Sequence, residues 1–242
     1  MKVNVTNFKK ALQKATLNFS MDSVQLNVDK ERVKSNMISG QRDAIVFLDI
    51  ENDIFSIVEN VELNFTDPSQ QLVPFLNLID EEEVDVVFNT EKMVLKSGKQ
   101  KSNIHFCSPT VVSIFTSKPQ EVSNFLEMDI DESFKTVFSK IKKIGSRFDD
   151  IYFNLQDGIF SIESTDKSNM FSNGLKFDLI EDVDYIDLTM CFSYKNVVNL
   201  MAILNGENFK MKFAYKKEQE MGMLTVEDES KSERYYLLSK EV

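Results

Sequence analysis

The sequence predicts an α+β fold made of two pseudo-repeated halves, each with helices on one face of antiparallel sheets. Three echoes point there. VNVTNFKKALQKA (Val3 to Ala15) is answered by DIDESFKTVFSKI (Asp129 to Ile141), and DSVQLNVDKERVKSNM (Asp22 to Met37) by DDIYFNLQDGIFSIES (Asp149 to Ser164). DPSQQLVPFLNLI, from Asp67, is answered by SYKNVVNLMAILN, from Ser193. Internal repetition is weighed before any fold because it decides how many units share the chain. Each half reads strand, helix, hairpin, strands, helix, hairpin.

The first element of each half is an amphipathic helix. Phe8, Ala11, Leu12 and Ala15 correspond to Phe134, Val137, Phe138 and Ile141, and these spacings of three and four draw one apolar stripe with lysines on the other faces. An alternating strand follows, then a polar turn at Asp29-Lys30 or Asp157-Gly158, then a returning strand. The second helix of each half stands between VELNF and VDVVFN in the first and between IDLTMCF and FKMKFAY in the second. Asp67 and Ser193 suit N-caps, Pro68 suits a first helical position, and Pro74 should bend or shorten its helix. CSPTVVSIFTSKPQEVSNF fits neither period and reads as an extended connector. The predicted boundaries are 1–107 for the first half, 108–124 for the connector and 125–242 for the second half. The tail resolves into the strand MGMLTVED, the turn EDESKS and a last strand SERYYLLSK, in which Tyr235 and Leu237 share one face and Tyr236 and Leu238 the other.

Composition narrows the function. The 242 residues are 42% hydrophobic and 28% charged, the balance of a soluble globular protein without a membrane span. The opening residues lack the apolar core of a secretory signal, which predicts a cytosolic chain. Cys107 and Cys191 are too few for a disulfide framework or metal cluster and read as buried free thiols. A net charge of −11 argues against general coating of nucleic acid. Its lysines nevertheless gather in NFKKALQKA and SFKTVFSKIKKIG, which leaves room for a local basic face. Seven glycines form no phosphate-cradling loop, and a single histidine leaves little scope for Ser or Cys nucleophile chemistry. The carboxylate pairs Asp149-Asp150 and Asp182-Asp184 allow a metal-dependent enzyme as a remote alternative, but acidic turns explain them more simply. The expectation is a non-enzyme with no cofactor and no metal.

The order of elements, the helix DESFKTVFSKIKKIG, the stretch IDLTMCFSYKNVVNLM and the terminal ERYYLLSKEV resemble the DNA sliding clamps of the proliferating cell nuclear antigen family, over essentially the whole chain. The resemblance implies a DNA-clamp fold with helices inside and sheets outside, in a ring of six repeats. Two repeats per chain then imply a homotrimer. It further implies a polymerase processivity factor that encircles duplex DNA without sequence preference, put there by an ATP-dependent clamp loader and tethering DNA polymerase. Lys9, Lys10, Lys14, Lys135, Lys140, Lys142, Lys143 and Lys195 would face the DNA. SQQLVPFLNLI departs from the family in carrying no basic residue, so the bore should be less positive than usual. A partner-peptide pocket would take Ile45, Phe47, Val112, Ile114, Tyr236 and Leu238, although Leu238 and Ser239 stand where the family usually has Ala-Pro. The subunit interface would place Leu175 and Phe177, within SNGLKFDLI, against His105 and Phe106 of a neighbour. A checkpoint or transcription accessory ring subunit is the alternative. Richness in Asn, Lys and Phe suggests an AT-rich genome and a viral or phage origin. Localisation would then be the host cytoplasm, or the nucleus for a eukaryotic relative.

Overall fold

A computed structural model describes residues 1–56, 60–118, 123–145, 147–167, 169, 173–204 and 208–240. Connector residues 119–122, Ser172, Asn205 and the last two residues, all within predicted elements, lie outside the described residues. The chain divides into two compact units, Met1–Pro119 and Gln120–Val242, with the division falling inside the predicted connector.

The first unit runs β1 (Lys2–Asn4), α1 (Val5–Ala15), β2 (Ser23–Val28), β3 (Arg32–Ile38), β4 (Ala44–Glu51), β5 (Val61–Thr66), α2 (Pro68–Gln71), α3 (Val73–Asn77), β6 (Glu83–Phe88), β7 (Lys92–Ser97) and β8 (Gln100–His105). Its strands lie in the orders β1-β6-β7-β8 and β5-β2-β3-β4. The second runs β9 (Leu126–Asp129), α4 (Glu132–Gly145), β10 (Asp150–Gln156), β11 (Ile159–Ser164), β12 (Leu175–Ile180), β13 (Leu188–Ser193), α5 (Tyr194–Ile203), β14 (Phe209–Lys216), β15 (Met221–Asp228) and β16 (Glu233–Leu238). Its orders are β9-β14-β15-β16 and β13-β10-β11-β12, the same arrangement strand for strand. All pairings within each unit are antiparallel.

The predicted stripe is what anchors α1. Phe8, Ala11, Leu12 and Ala15 are buried, and the Phe8 ring meets Phe55 edge-on at 5.1 Å and Phe65 at 6.4 Å. Asn4 starts the helix by accepting the Asn7 N–H at 2.9 Å, which satisfies one of the four donors a helix start leaves open. The Thr16 hydroxyl donates to the Leu12 carbonyl at 2.6 Å, and the chain then turns through Leu17, Asn18 and Phe19 at φ of 49°, 54° and 61°. Three successive left-handed residues reverse the winding and stop the helix. In the second unit Phe134, Phe138 and Ile141 are buried in the same way, while Asp131 accepts the Phe134 N–H at 2.7 Å. Phe153 and Phe160 close that core over Phe213, with centroids 4.9 and 4.7 Å away.

Three expectations need correction. The helix predicted from Asp67 is two short pieces, because Pro74 offers no N–H to carry one helix through. Neither Asp67 nor Ser193 caps with its side chain; Asp67 sits at a left-handed φ of 42° and its carboxylate accepts from the Ser69 hydroxyl instead. Cys107 is half-buried rather than buried, since it follows the end of β8, whereas Cys191 lies within β13 and is buried.

The β15–β16 turn is held by Asp228, which accepts the Glu233 N–H at 2.8 Å, the Ser232 hydroxyl at 3.0 Å and the Ser230 hydroxyl. Burial pushes this carboxyl up, but the hydrogen bonds outweigh it and hold it below its ordinary value of 3.8. A depressed carboxylate stabilises the fold above its unfolded-state value, and that contribution is lost as pH falls through the folded one. Asp228→Asn is therefore expected to lower the urea midpoint at pH 7, by no more than about 1 kcal/mol for so exposed a turn. The gap to wild type should narrow as pH is taken through and below 3.8; a gap independent of pH would mean the charge is not what holds the turn.

Candidate functional site

The helix lysines divide into several kinds. Lys10 on α1, Lys142 and Lys143 on α4 and Lys195 on α5 are exposed, while Lys9 and Lys14 are half-buried. Lys135 pairs at 2.9 Å with Glu132 one turn earlier, and Lys140 holds its ammonium 5.5 Å from the centre of the Phe177 ring on β12. The Tyr194 hydroxyl donates to the Lys142 carbonyl at 2.8 Å, which ties the start of α5 to the last turn of α4. The first unit differs as its sequence predicts: α3 and the residue after it present Phe75 and Leu78, 40% and 65% exposed, and no lysine.

β8 and β12 each end their sheet order within their unit. On β8 the exposed His105 pairs across to Lys92, and Phe106, just beyond, packs its ring on Phe65 at 5.6 Å. On β12 Leu175 and Phe177 are half-buried, and Lys176 and Asp178 between and after them are exposed.

The tail is a full strand whose two faces differ as predicted. Tyr235 and Leu237 are buried at 0% and 1%, the Tyr235 hydroxyl donating to Glu233 at 2.9 Å. On the other face Tyr236 is buried and Leu238 half-buried, and burial pushes the Tyr236 phenol up. The residues after the strand are fixed as well. The Ser239 N–H donates to the Gly222 carbonyl at 2.8 Å, the Lys240 N–H to the Cys191 carbonyl at 2.7 Å, and the Lys240 ammonium engages Asp150. Gly222 is required there, because a Cβ would stand 2.5 Å from Met190. Beside Cys191, burial first and then the neighbouring Cys191 and Asp150 push the Tyr152 phenol up to about 12, so it stays protonated.

In the first unit Phe47 is buried and Ile45 half-buried on β4. Of the connector residues, Val112 is buried, Ile114 half-buried, and Phe115, which is not among the expected pocket residues, meets Phe47 edge-on at 5.5 Å. The signal that could have found Phe115 is its place as the one aromatic in VVSIFTSK. Among the described residues no group of three or more His, Cys, Asp or Glu could hold a metal ion, and no helix is long and apolar enough to cross a membrane.

This architecture is shared with solved DNA sliding clamps. The DNA polymerase sliding clamp of Bacillus subtilis matches with a TM-score of 0.75 at 11% identity, over 100% of this chain and 64% of its own. The A. fulgidus PCNA solved with the C-terminal region of FEN-1 bound matches at 0.68 and 14%, over 100% of this chain and 97% of that one. Proliferating Cellular Nuclear Antigen from Entamoeba histolytica matches at 0.67 and 15%, over 99% and 98%. No protein-family model matches the sequence, and no curated protein does. The chain has the DNA sliding-clamp fold along its whole length, while it spans just under two thirds of the Bacillus subtilis protein.

Proposed function

We propose that this chain is a DNA sliding clamp, a processivity factor that encircles duplex DNA and tethers a polymerase. The observation that carries this is the duplication: two units of identical strand order, each with a lysine-bearing first helix, in a chain that sliding clamps match from end to end. Such a protein acts by topology and not by chemistry, which fits an acidic chain that carries eight of its lysines on three helices. Lys9, Lys10, Lys14, Lys135, Lys140, Lys142, Lys143 and Lys195 would meet phosphates weakly and without sequence preference. Three chains would close a ring head to tail, β12 of one against β8 of the next, so that neither edge remains open. Tyr236 and Leu238 on the tail, and Ile45 and Phe47 with Val112 and Ile114 in the first unit, would receive partner peptides; the FEN-1 segment bound to the A. fulgidus protein is the supporting parallel. An ATP-dependent loader, a phage or viral source and residence in the host cytoplasm complete the reading.

Native mass tests it. Light scattering at micromolar concentration should report three times the 27.9 kDa of one chain; a stable monomer or dimer overturns the homotrimer, and a trimer obtained only with other subunits points to the accessory-ring alternative.

A further inference from the structure

The β2–β3 hairpin is open along much of its length. Its strands pair only next to the turn, Asn27 with Lys34 and Val28 with Val33. Farther out, side chains fill part of the gap: the Ser35 hydroxyl donates to the Gln25 carbonyl at 2.7 Å, and the Gln25 N–H points at the Met37 sulfur at 3.4 Å. Connector residues Ser113, Ile114 and Phe115 enter the remaining space. The Ile38 N–H donates to the Ser113 carbonyl at 3.1 Å, the Phe115 N–H donates to the Asn36 carbonyl at 3.0 Å, and Ile114 bridges antiparallel to Met37. On the β2 side the Ser113 N–H donates to the Ser23 hydroxyl at 3.2 Å. Phe115 supplies the one ring, set against Phe47. Before the segment Val112 is buried and Val111 is 56% exposed; after it Thr116, Ser117 and Lys118 are exposed.

We propose that the opening between β2 and β3 is a strand-acceptor slot for an extended peptide with an aromatic anchor, and that Ser113–Phe115 fills it in cis until such a peptide replaces them. Three features support exchange over a permanent seam. The Ile38 N–H and the Asn36 carbonyl need a partner whatever its sequence, so any extended backbone satisfies them. Selectivity rests on a single ring at Phe47. The cis occupant is three residues long, anchored by the buried Val112 before it and followed by exposed chain, so it can peel away from its C-terminal end without disturbing β2 or β3. The proposal deepens the partner-tethering reading and depends on it for the natural occupant; its test does not.

The probe is a fluorescent synthetic peptide of residues 109–118, PTVVSIFTSK, titrated by anisotropy into the full chain. Phe115→Pro in the chain removes both the ring and the N–H given to Asn36, and so empties the slot. Because a cis occupant lowers the fraction of competent chains, the peptide should bind this variant at least about tenfold more tightly than wild type. A peptide with alanine in place of its phenylalanine should lose that gain. Hydrogen exchange at Ile38 should be slow in wild type, fast in Phe115→Pro and slow again with peptide. Equal affinity for the two chains, equal affinity of the two peptides, or an Ile38 amide indifferent to both changes overturns the proposal. Should Phe115→Pro fail to fold, Phe115→Ala is read instead, and any tightening supports the slot while none overturns it. A chain that exchanges the peptide yet weighs as a monomer overturns the ring alone.

Discussion

Glutamate at Lys10, Lys14, Lys140 and Lys143 together is expected to abolish salt-sensitive retention on duplex DNA and most of the stimulation of synthesis on long templates, while the native mass stays that of wild type. The four lie on α1 and α4, the helices that occupy the same place in the two units. If each meets one phosphate, four contacts make binding fall by about a hundredfold for a fourfold rise in salt, and the variant should show almost none of that slope. Reversal is a stronger test than alanine because it adds repulsion to the lost attraction. Exposed charges are screened beyond about 10 Å at moderate salt, but Lys140 stands 5.5 Å from the Phe177 ring on the edge strand β12, so its reversal is the one that can act directly on a sheet edge. Unchanged stimulation with an unchanged salt slope would remove these lysines from the DNA face. Loss of the native mass as well would implicate Lys140 through its contact with Phe177 on the edge strand β12.

Phe8→Ala is expected to be the most damaging single core change in the first unit. The ring is fully buried, touches Phe55 and Phe65, and sits where α1 faces both sheets of its unit. Removing it deletes the transfer energy of the ring and leaves a cavity, about 3–5 kcal/mol together. Domains of this size are stable by roughly 5–15 kcal/mol, so the first unit should melt well before the second in urea. Hydrogen exchange followed by mass spectrometry should localise the loss to residues 1–119. A uniform loss over both units, or a cost below about 1 kcal/mol, would show that the site repacks.

The parts of this fold that were legible from sequence are those with a period or a spacing. Phe8, Ala11, Leu12 and Ala15 repeat at helix spacing because the helix has one buried side. The turns at Asp29 and Asp157 stand out because strands alternate up to them and resume after them. The tail could be placed by counting back from Tyr235, and β15 and β16 fall where that count puts them. What was not legible depends on contacts distant in sequence. Asp67 looks like an N-cap by residue type, yet its own left-handed backbone turns the carboxylate toward Ser69. Nothing in SIF announces that it docks into a split hairpin some eighty residues upstream, since three residues carry no period and the gap they fill is made by Ser35 and Met37. Of the proposed DNA-facing lysines, the sequence located all eight on their helices. It could not show that Lys135 is taken up by Glu132 or that Lys140 leans on Phe177.

The short strand β1 has a kinetic meaning. Lys2 pairs with Asp85 and Asn4 with Glu83, and in the second unit Leu126 pairs with Phe213 and Asp129 with Lys210. Both pairings join residues about eighty apart, so a long loop must close before either sheet gains its end strand, and topologies of this kind fold in milliseconds to seconds. During synthesis β1 waits until β6 has left the ribosome. The remaining chain then takes roughly ten seconds or more to be made, ample time for the first unit to finish alone. Of the strands in the first unit, the earliest made is thus among the last to be placed.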